Sequence, residues 1–186
     1  LRESIGEYTG ANPEHIVVGN GSTELISTFI KTANARKTII IGPAYSEYER
    51  EASICGSDFK YFPLKKEENF EINMKNILSE LTEEIGMLII CNPNNPTGTA
   101  ITVTQMREIL SHCKNNNTFV MVDETYIEFS DNIEEICTIP LVKEFDNVFV
   151  IRGISKFFAA PGIRLGYGVS SNEKFLNTLL SVQDPW

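Results

Sequence analysis

Two hydrophobic periods alternate along this chain, and that alternation constrains the fold more than any other feature. Short, β-branched apolar runs fall at Ile16–Val18, Thr38–Ile41, Met87–Cys91, Thr118–Val122, Val148–Ile151 and Leu165–Val169. Between most of them lie helical stripes: Leu25, Ile26, Phe29 and Ile30 form one, and Met106, Ile109, Leu110 and Cys113 another. Strands alternating with helices of this length imply βαβ units and a largely parallel sheet covered on both faces. The predicted class is α/β, a three-layer αβα arrangement. Local signals agree with this. Thr102-x-x-Gln105 reads as a capping box opening the second helix, and Gly56 ends a helix running from about Ser46 to Cys55. The first residues from Leu1 already read as an amphipathic helix, and Asn115–Asn117 as a loop after one. No internal repeat, low-complexity linker or shift in composition divides the 186 residues, so one domain spanning 1–186 is expected.

Charge and cysteine usage exclude several function classes. With 25 acidic and 16 basic side chains the formal net charge is −9, and there is no basic run. Such a chain is a poor ligand for nucleic acid or an anionic membrane. The wholly apolar runs are too short to span a bilayer, and no secretory signal pattern is present. Cys55, Cys91, Cys113 and Cys137 lie far apart with no Cys-x-x-Cys, and His15 and His112 are the two histidines. This argues against a structural zinc site and a disulfide framework, so no metal is expected and a reduced, cytoplasmic protein is.

In an open α/β sheet, ligands bind beyond the carboxyl ends of the strands, which selects candidate residues before any motif is considered. Beyond Ile16–Val18 comes Gly19-Asn-Gly-Ser-Thr-Glu24, opening a helix. Beyond Met87–Cys91 comes Asn92-Pro-Asn-Asn-Pro-Thr-Gly98; at the end of Thr118–Val122 stands Asp123, with Tyr126 three residues on. Beyond Val148–Ile151 come Ser155, Lys156 and Arg164. Taken singly, each has an ordinary reading as a cap, a turn or a surface charge. The glycine-rich segment suits a phosphate, because a helix start offers free N–H groups and a positive dipole end. It is not the dinucleotide fingerprint, since Glu24 stands where the third glycine belongs, and no GxxxxGK[ST] loop accompanies Asp123.

Together these residues form the set that pyridoxal phosphate needs: a lysine to bond it, an acid to keep the ring nitrogen protonated, donors for the ring oxygen and an anion site. On Gly19–Ile26, Pro43-Ala-Tyr45, Asn92–Gly98, Val122–Phe129 and Ser155–Gly166, in that order, the chain resembles the large domain of fold-type I pyridoxal-phosphate enzymes. Within them it is similar to the class I/II aminotransferases, closest to the histidinol-phosphate aminotransferases and threonine-phosphate decarboxylases.

The resemblance implies specific roles. Lys156 would bond the cofactor and then move a proton as general base and acid. Asp123 would pair with the ring nitrogen, Tyr126 and Asn95 would bond the ring oxygen, and Tyr45 would stack on the ring. Gly21, Ser22, Thr23 and Arg164 would hold the phosphate, with Ser155 beside Lys156 completing the cofactor-binding set. The implied activity is transamination of an amino acid or phosphorylated amine with a 2-oxo acid, in a homodimer and in amino-acid biosynthesis. Decarboxylation of threonine phosphate is the alternative, suggested by Phe157–Tyr167 and the closing Gln183-Asp-Pro-Trp186. Many relatives carry Ser or Thr three residues before the lysine, where this chain has Gly153. The family's chains are also longer, so an N-terminal segment and a small C-terminal domain are expected beyond residues 1–186, leaving a cofactor-binding fragment that is catalytically incomplete by itself.

Overall fold

The computed structural model describes residues 1–183; residues 184–186, most of the closing Gln183–Trp186 segment, lie outside the described part. The described strands are β1 (Ile16–Asn20), β2 (Lys37–Gly42), β3 (Asp58–Pro63), β4 (Met87–Cys91), β5 (Phe119–Asp123), β6 (Val148–Gly153) and β7 (Leu165–Val169). They form a single sheet in the order β1-β7-β6-β5-β4-β2-β3. The pairs β2–β3, β2–β4, β4–β5 and β5–β6 are parallel, whereas β7 runs antiparallel to both β6 and β1. Because β7 is reversed against both neighbours, β1 points the same way as β4, β5 and β6, and their carboxyl ends share one edge.

Helices cover both faces, as the apolar runs require. Along β4 the residues alternate between faces. Met87, Ile89 and Cys91 pack with α2 (Ser22–Ala33), α3 (Glu47–Ile54) and α7 (Glu173–Val182). Leu88 and Ile90 pack on the other side, with α1 (Arg2–Thr9), α4 (Met74–Glu80) and α5 (Val103–Asn115). A further short helix, α6 (Ile133–Ile136), follows β5. The predicted stripes are the buried faces of α2 and α5, and Thr102 and Gln105 form both bonds of the capping box. Gly56, with φ of 72°, follows the end of α3 at Cys55. Three elements besides α6 lie outside the sequence reading. Strand β3 is an edge strand whose six residues are mostly exposed, so it lacks the apolar run that marks the others. Helix α4 is short, and α7 follows β7 without a strand after it.

The same alternation separates two adjacent acids. Asp123 follows Met121 onto the α2/α3 face, while Glu124 lies with Arg152 on the opposite one. Glu124, wholly buried, accepts two bonds from the Arg152 guanidinium, at 2.9 and 2.8 Å, and one from the Thr138 N–H at 2.5 Å. Burial disfavours the charge on Arg152, but the Glu124 carboxylate outweighs it and holds the guanidinium above its ordinary pKa. Breaking such a pair strands a buried charge. Arg152→Met is expected to lower the unfolding free energy in a urea titration by about 3–5 kcal/mol, and the double change with Glu124→Gln to recover part of that loss.

Candidate active site

At the shared edge the strand ends open into a cleft of about 360 Å³. Its wall brings together every residue to which the resemblance gave a cofactor role. Gly21, Ser22 and Thr23 enter from the β1–α2 junction, and Tyr45 from the loop before α3. Asn95 enters from the loop after β4, and Asp123 and Tyr126 from the end of β5. Ser155, Lys156 and Arg164 come from the segment between β6 and β7.

The anion cup is built by close backbone approach. Gly21, the cap residue of α2, has φ of 81°, a conformation that a side chain would strain. A β-carbon there would also lie 2.6 Å from Nη2 of Arg164, and one at Gly166 would lie 2.5 Å from the Gly21 carbonyl carbon and the Ser22 nitrogen. Helix α2 thus begins directly on the backbone of β7. No side chain caps its first turn, which leaves those N–H groups for a ligand. Glu24 accepts the N–H of Asn20, and Gln183 donates to the Val18 carbonyl at 2.8 Å, so the junction is tied from both sides. Arg164, left-handed at φ of 54°, donates to the Asn20 carbonyl at 3.3 Å and hangs over the cup.

The opposite wall carries the acid. Asp123 Oδ1 accepts the Thr125 N–H at 2.9 Å and the Thr125 hydroxyl at 2.6 Å, and Oδ2 accepts the Tyr48 hydroxyl at 2.7 Å. Burial, reinforced by the Asp123 charge, pushes the Tyr48 phenol well above its usual pKa. Burial likewise pushes the Cys91 thiol up to about 12, and that thiol donates to the Pro93 carbonyl at 3.2 Å. Tyr126 is also raised, first by burial and then by the charges around it, so it stays a protonated donor at neutral pH. Asn95 Nδ2 donates to the Tyr126 hydroxyl at 3.3 Å, which brings the amide and the phenol to one point of the cleft. The loop bearing Asn95 is clamped by buried Asn92, which bonds Ile101 twice and the Ile136 carbonyl once. Asn94 ties the same loop to the Pro43 carbonyl beside Tyr45. Tyr48, Thr125 and Cys91 also line the cleft and escaped the sequence reading. Tyr48 stands one helical turn after Tyr45, a spacing that could have flagged it.

A lysine, an acid held by three donors, a convergent phenol and amide, and a helix-start cup under an arginine have the chemistry to hold pyridoxal phosphate. The sequence matches the family profile described as aminotransferase class I and II over residues 1–186. The chain belongs to that family. A protein of Caldanaerobacter subterraneus subsp. tengcongensis named "Putative threonine-phosphate decarboxylase" is 40% identical over 100% of this chain and 50% of its own length. A histidinol-phosphate aminotransferase of Methanococcus aeolicus is 32% identical over 98% of this chain and 48% of its own. The structure of the histidinol-phosphate aminotransferase from Clostridium acetobutylicum superimposes with a TM-score of 0.89 at 33% identity, covering 99% of this chain and 53% of that one. The chain therefore spans about half the length of the curated relatives it matches.

Against the expected family pattern, Gly153 leaves room on the sheet for α2. A β-carbon there would stand 3.3 Å from the Ser22 hydroxyl, so that hydroxyl already borders the space a side chain at 153 would enter. Two outcomes follow from this geometry. Gly166→Ala forces the Gly21–Ser22 peptide outward and is expected to weaken pyridoxal-phosphate binding, followed by absorbance titration, by about tenfold, from an overpacking cost of about 1–3 kcal/mol. Because Cys91 is buried with its pKa near 12, iodoacetamide at pH 8 is expected to leave it unmodified in the native protein and to alkylate it in denaturant.

Proposed function

We propose that this chain is the cofactor-binding part of a pyridoxal-phosphate-dependent aminotransferase acting on an amino acid or phosphorylated amine, like the histidinol-phosphate aminotransferases. The observation that carries the reading is the convergence of Lys156, Asp123 and the Asn95–Tyr126 pair on one cleft beside an arginine-flanked helix start. When bound, pyridoxal phosphate supplies a protonated ring that accepts the electron pair left on the substrate α-carbon. Lys156 would bond the cofactor, and its Nζ, when free, would take the proton from the substrate α-carbon. Asp123 faces the ring nitrogen with a charge-assisted hydrogen bond. Tyr126 and Asn95 donate to the ring oxygen, and Tyr45 covers the ring face. The N–H groups of Ser22 and Thr23, with Gly21 keeping the approach open, hold the phosphate together with Arg164. The Ser22 hydroxyl takes the place of one that Gly153 lacks, and Ser155 completes the cup.

Among the described residues lining the cleft the cations are Lys156 and Arg164, both engaged in these roles. A cation for the substrate's acidic group is then supplied from outside this chain's cleft, by further sequence or a partner subunit. A homodimer agrees with the aromatic ridge beside the cleft, where Phe129, Phe157 and Phe158 are 60%, 47% and 47% exposed. A 2-oxo acid as amino acceptor and a cytoplasmic, biosynthetic setting complete the proposal. Among the described residues no helix is long and apolar enough to cross a membrane.

Decarboxylation of threonine phosphate is the second reading, favoured by the 40% identity to the Caldanaerobacter protein. Both share the cofactor and differ in the bond broken. Borohydride reduction of the loaded protein, followed by peptide mapping, is expected to leave a phosphopyridoxyl group on Lys156 and none in Lys156→Ala; an unlabelled Lys156 would overturn the proposal. In the full chain, amino transfer to a 2-oxo acid supports the aminotransferase, whereas carbon dioxide released without transfer selects the decarboxylase. An adduct without turnover from residues 1–186 by themselves marks a part that binds cofactor and needs the rest to react.

A further inference from the structure

We propose that Tyr48 is a positioning residue that locks the plane of the Asp123 carboxylate toward the cofactor's ring nitrogen and fixes the stacking residue Tyr45 at the same time. The inference rests on the cofactor reading above and adds to it a residue with no assigned role there. Both bonds from Thr125 fall on one oxygen of Asp123, Oδ1, and two donors on one oxygen still let the carboxylate swing about it. The bond from Tyr48 at 2.7 Å is the one on Oδ2, and it removes that freedom. Tyr48 is itself immobile: it is 1% exposed, packs in the core between α2 and the sheet, and is delivered by the first turn of α3. Its ring meets Tyr45 edge to face, with centroids 5.7 Å apart at 90°. The acid and the ring-covering tyrosine, which come from distant parts of the chain, are thus set against each other by a single side chain. Burial keeps the phenol protonated, so it remains a donor across the working pH range.

The test separates this role from simple packing by removing either end of the contact. In the full chain, wild type and Tyr48→Phe are titrated with pyridoxal phosphate and with its analogue carrying C–H in place of the ring nitrogen, following cofactor absorbance and fluorescence. Tyr48→Phe keeps the ring in the core and deletes the hydroxyl alone. Pyridoxal-phosphate affinity is expected to fall by about tenfold, as for a lost hydrogen bond to a charged group. The analogue, which offers no ring nitrogen to Asp123, is expected to bind wild type and variant within about twofold of each other, because the two changes act through one contact. Equal losses for both ligands, or no loss for pyridoxal phosphate, would overturn the proposal. Wild type that binds neither ligand removes the cofactor reading itself, and this inference with it; that outcome is distinct because it needs no variant. Should Tyr48→Phe not fold, wild type labelled with ¹³C at tyrosine Cζ gives the same decision. The Tyr48 signal is expected to move when pyridoxal phosphate binds and to stay with the analogue, and a signal that responds alike to both would overturn the role.

Discussion

Helix α2 lies closer to the sheet than side chains would permit, and the arrangement of the cleft depends on that closeness. Four glycines from three strands make the shelf beneath it. Side-chain carbons would stand 2.6 Å from the Leu25 side chain at Gly19, 3.3 Å from the Ser22 hydroxyl at Gly153 and 2.5 Å from the Gly21–Ser22 peptide at Gly166. At Gly168 one would stand 2.1 Å from the Phe149 ring, which instead lies across the strand and stacks on Phe29 of α2 at 5.5 Å. Interiors pack at crystal-like density, so these absent methyl groups are filled by the helix itself. The result is an N-terminus pressed against β7 with its N–H groups directed at the cleft and Arg164 overhead.

Alternation along the strands then divides the polar work between the two faces. Asp123 and Glu124 are neighbours in sequence, yet one enters the cleft and the other is buried with Arg152 on the far side of the sheet. The far-side pair ties the end of β5 to β6 and, through Thr138, to the segment after α6. The strand end that carries the acid is therefore braced from behind by an ion pair that takes no part in the cleft. A register slip of one residue would exchange the two acids and undo both arrangements.

How much of this was legible in the sequence depends on the kind of signal. Six of the strands announce themselves as dense apolar runs because both their faces are covered. The edge strand β3 faces solvent along much of its length and shows no such run. Segments at the carboxyl ends of the strands could be chosen by rule, and each of the four contributes at least one residue to the cleft. Tyr48 could not, because it acts on Asp123 from α3 rather than from a strand end, and Thr125, though it lies between Asp123 and Tyr126, shows its role only through its bonds to Asp123. Nor could the shelf be read, since a glycine in a sequence does not say what lies above it; Gly153 reads as a missing hydroxyl until Ser22 is seen beside it.

The pairing of β1 sets an order on how the chain acquires its shape. Strand β1 is bonded in the sheet to β7 alone, Ile16 opposite Val169 and Asn20 opposite Leu165. Strands β2, β4, β5 and β6 join through nearer neighbours along the chain. Long loops are slow to close, so the parallel core has the kinetic advantage and the first strand is among the last to be seated. During synthesis the β1–α2 junction leaves the ribosome before β7 and has no shelf to rest on until Gly166 and Gly168 have followed it out. A nascent chain thus carries α2, one of its most apolar helices, only partly covered until β7 has been made. That interval, more than any weakness of the finished core, is where this architecture calls for chaperone protection.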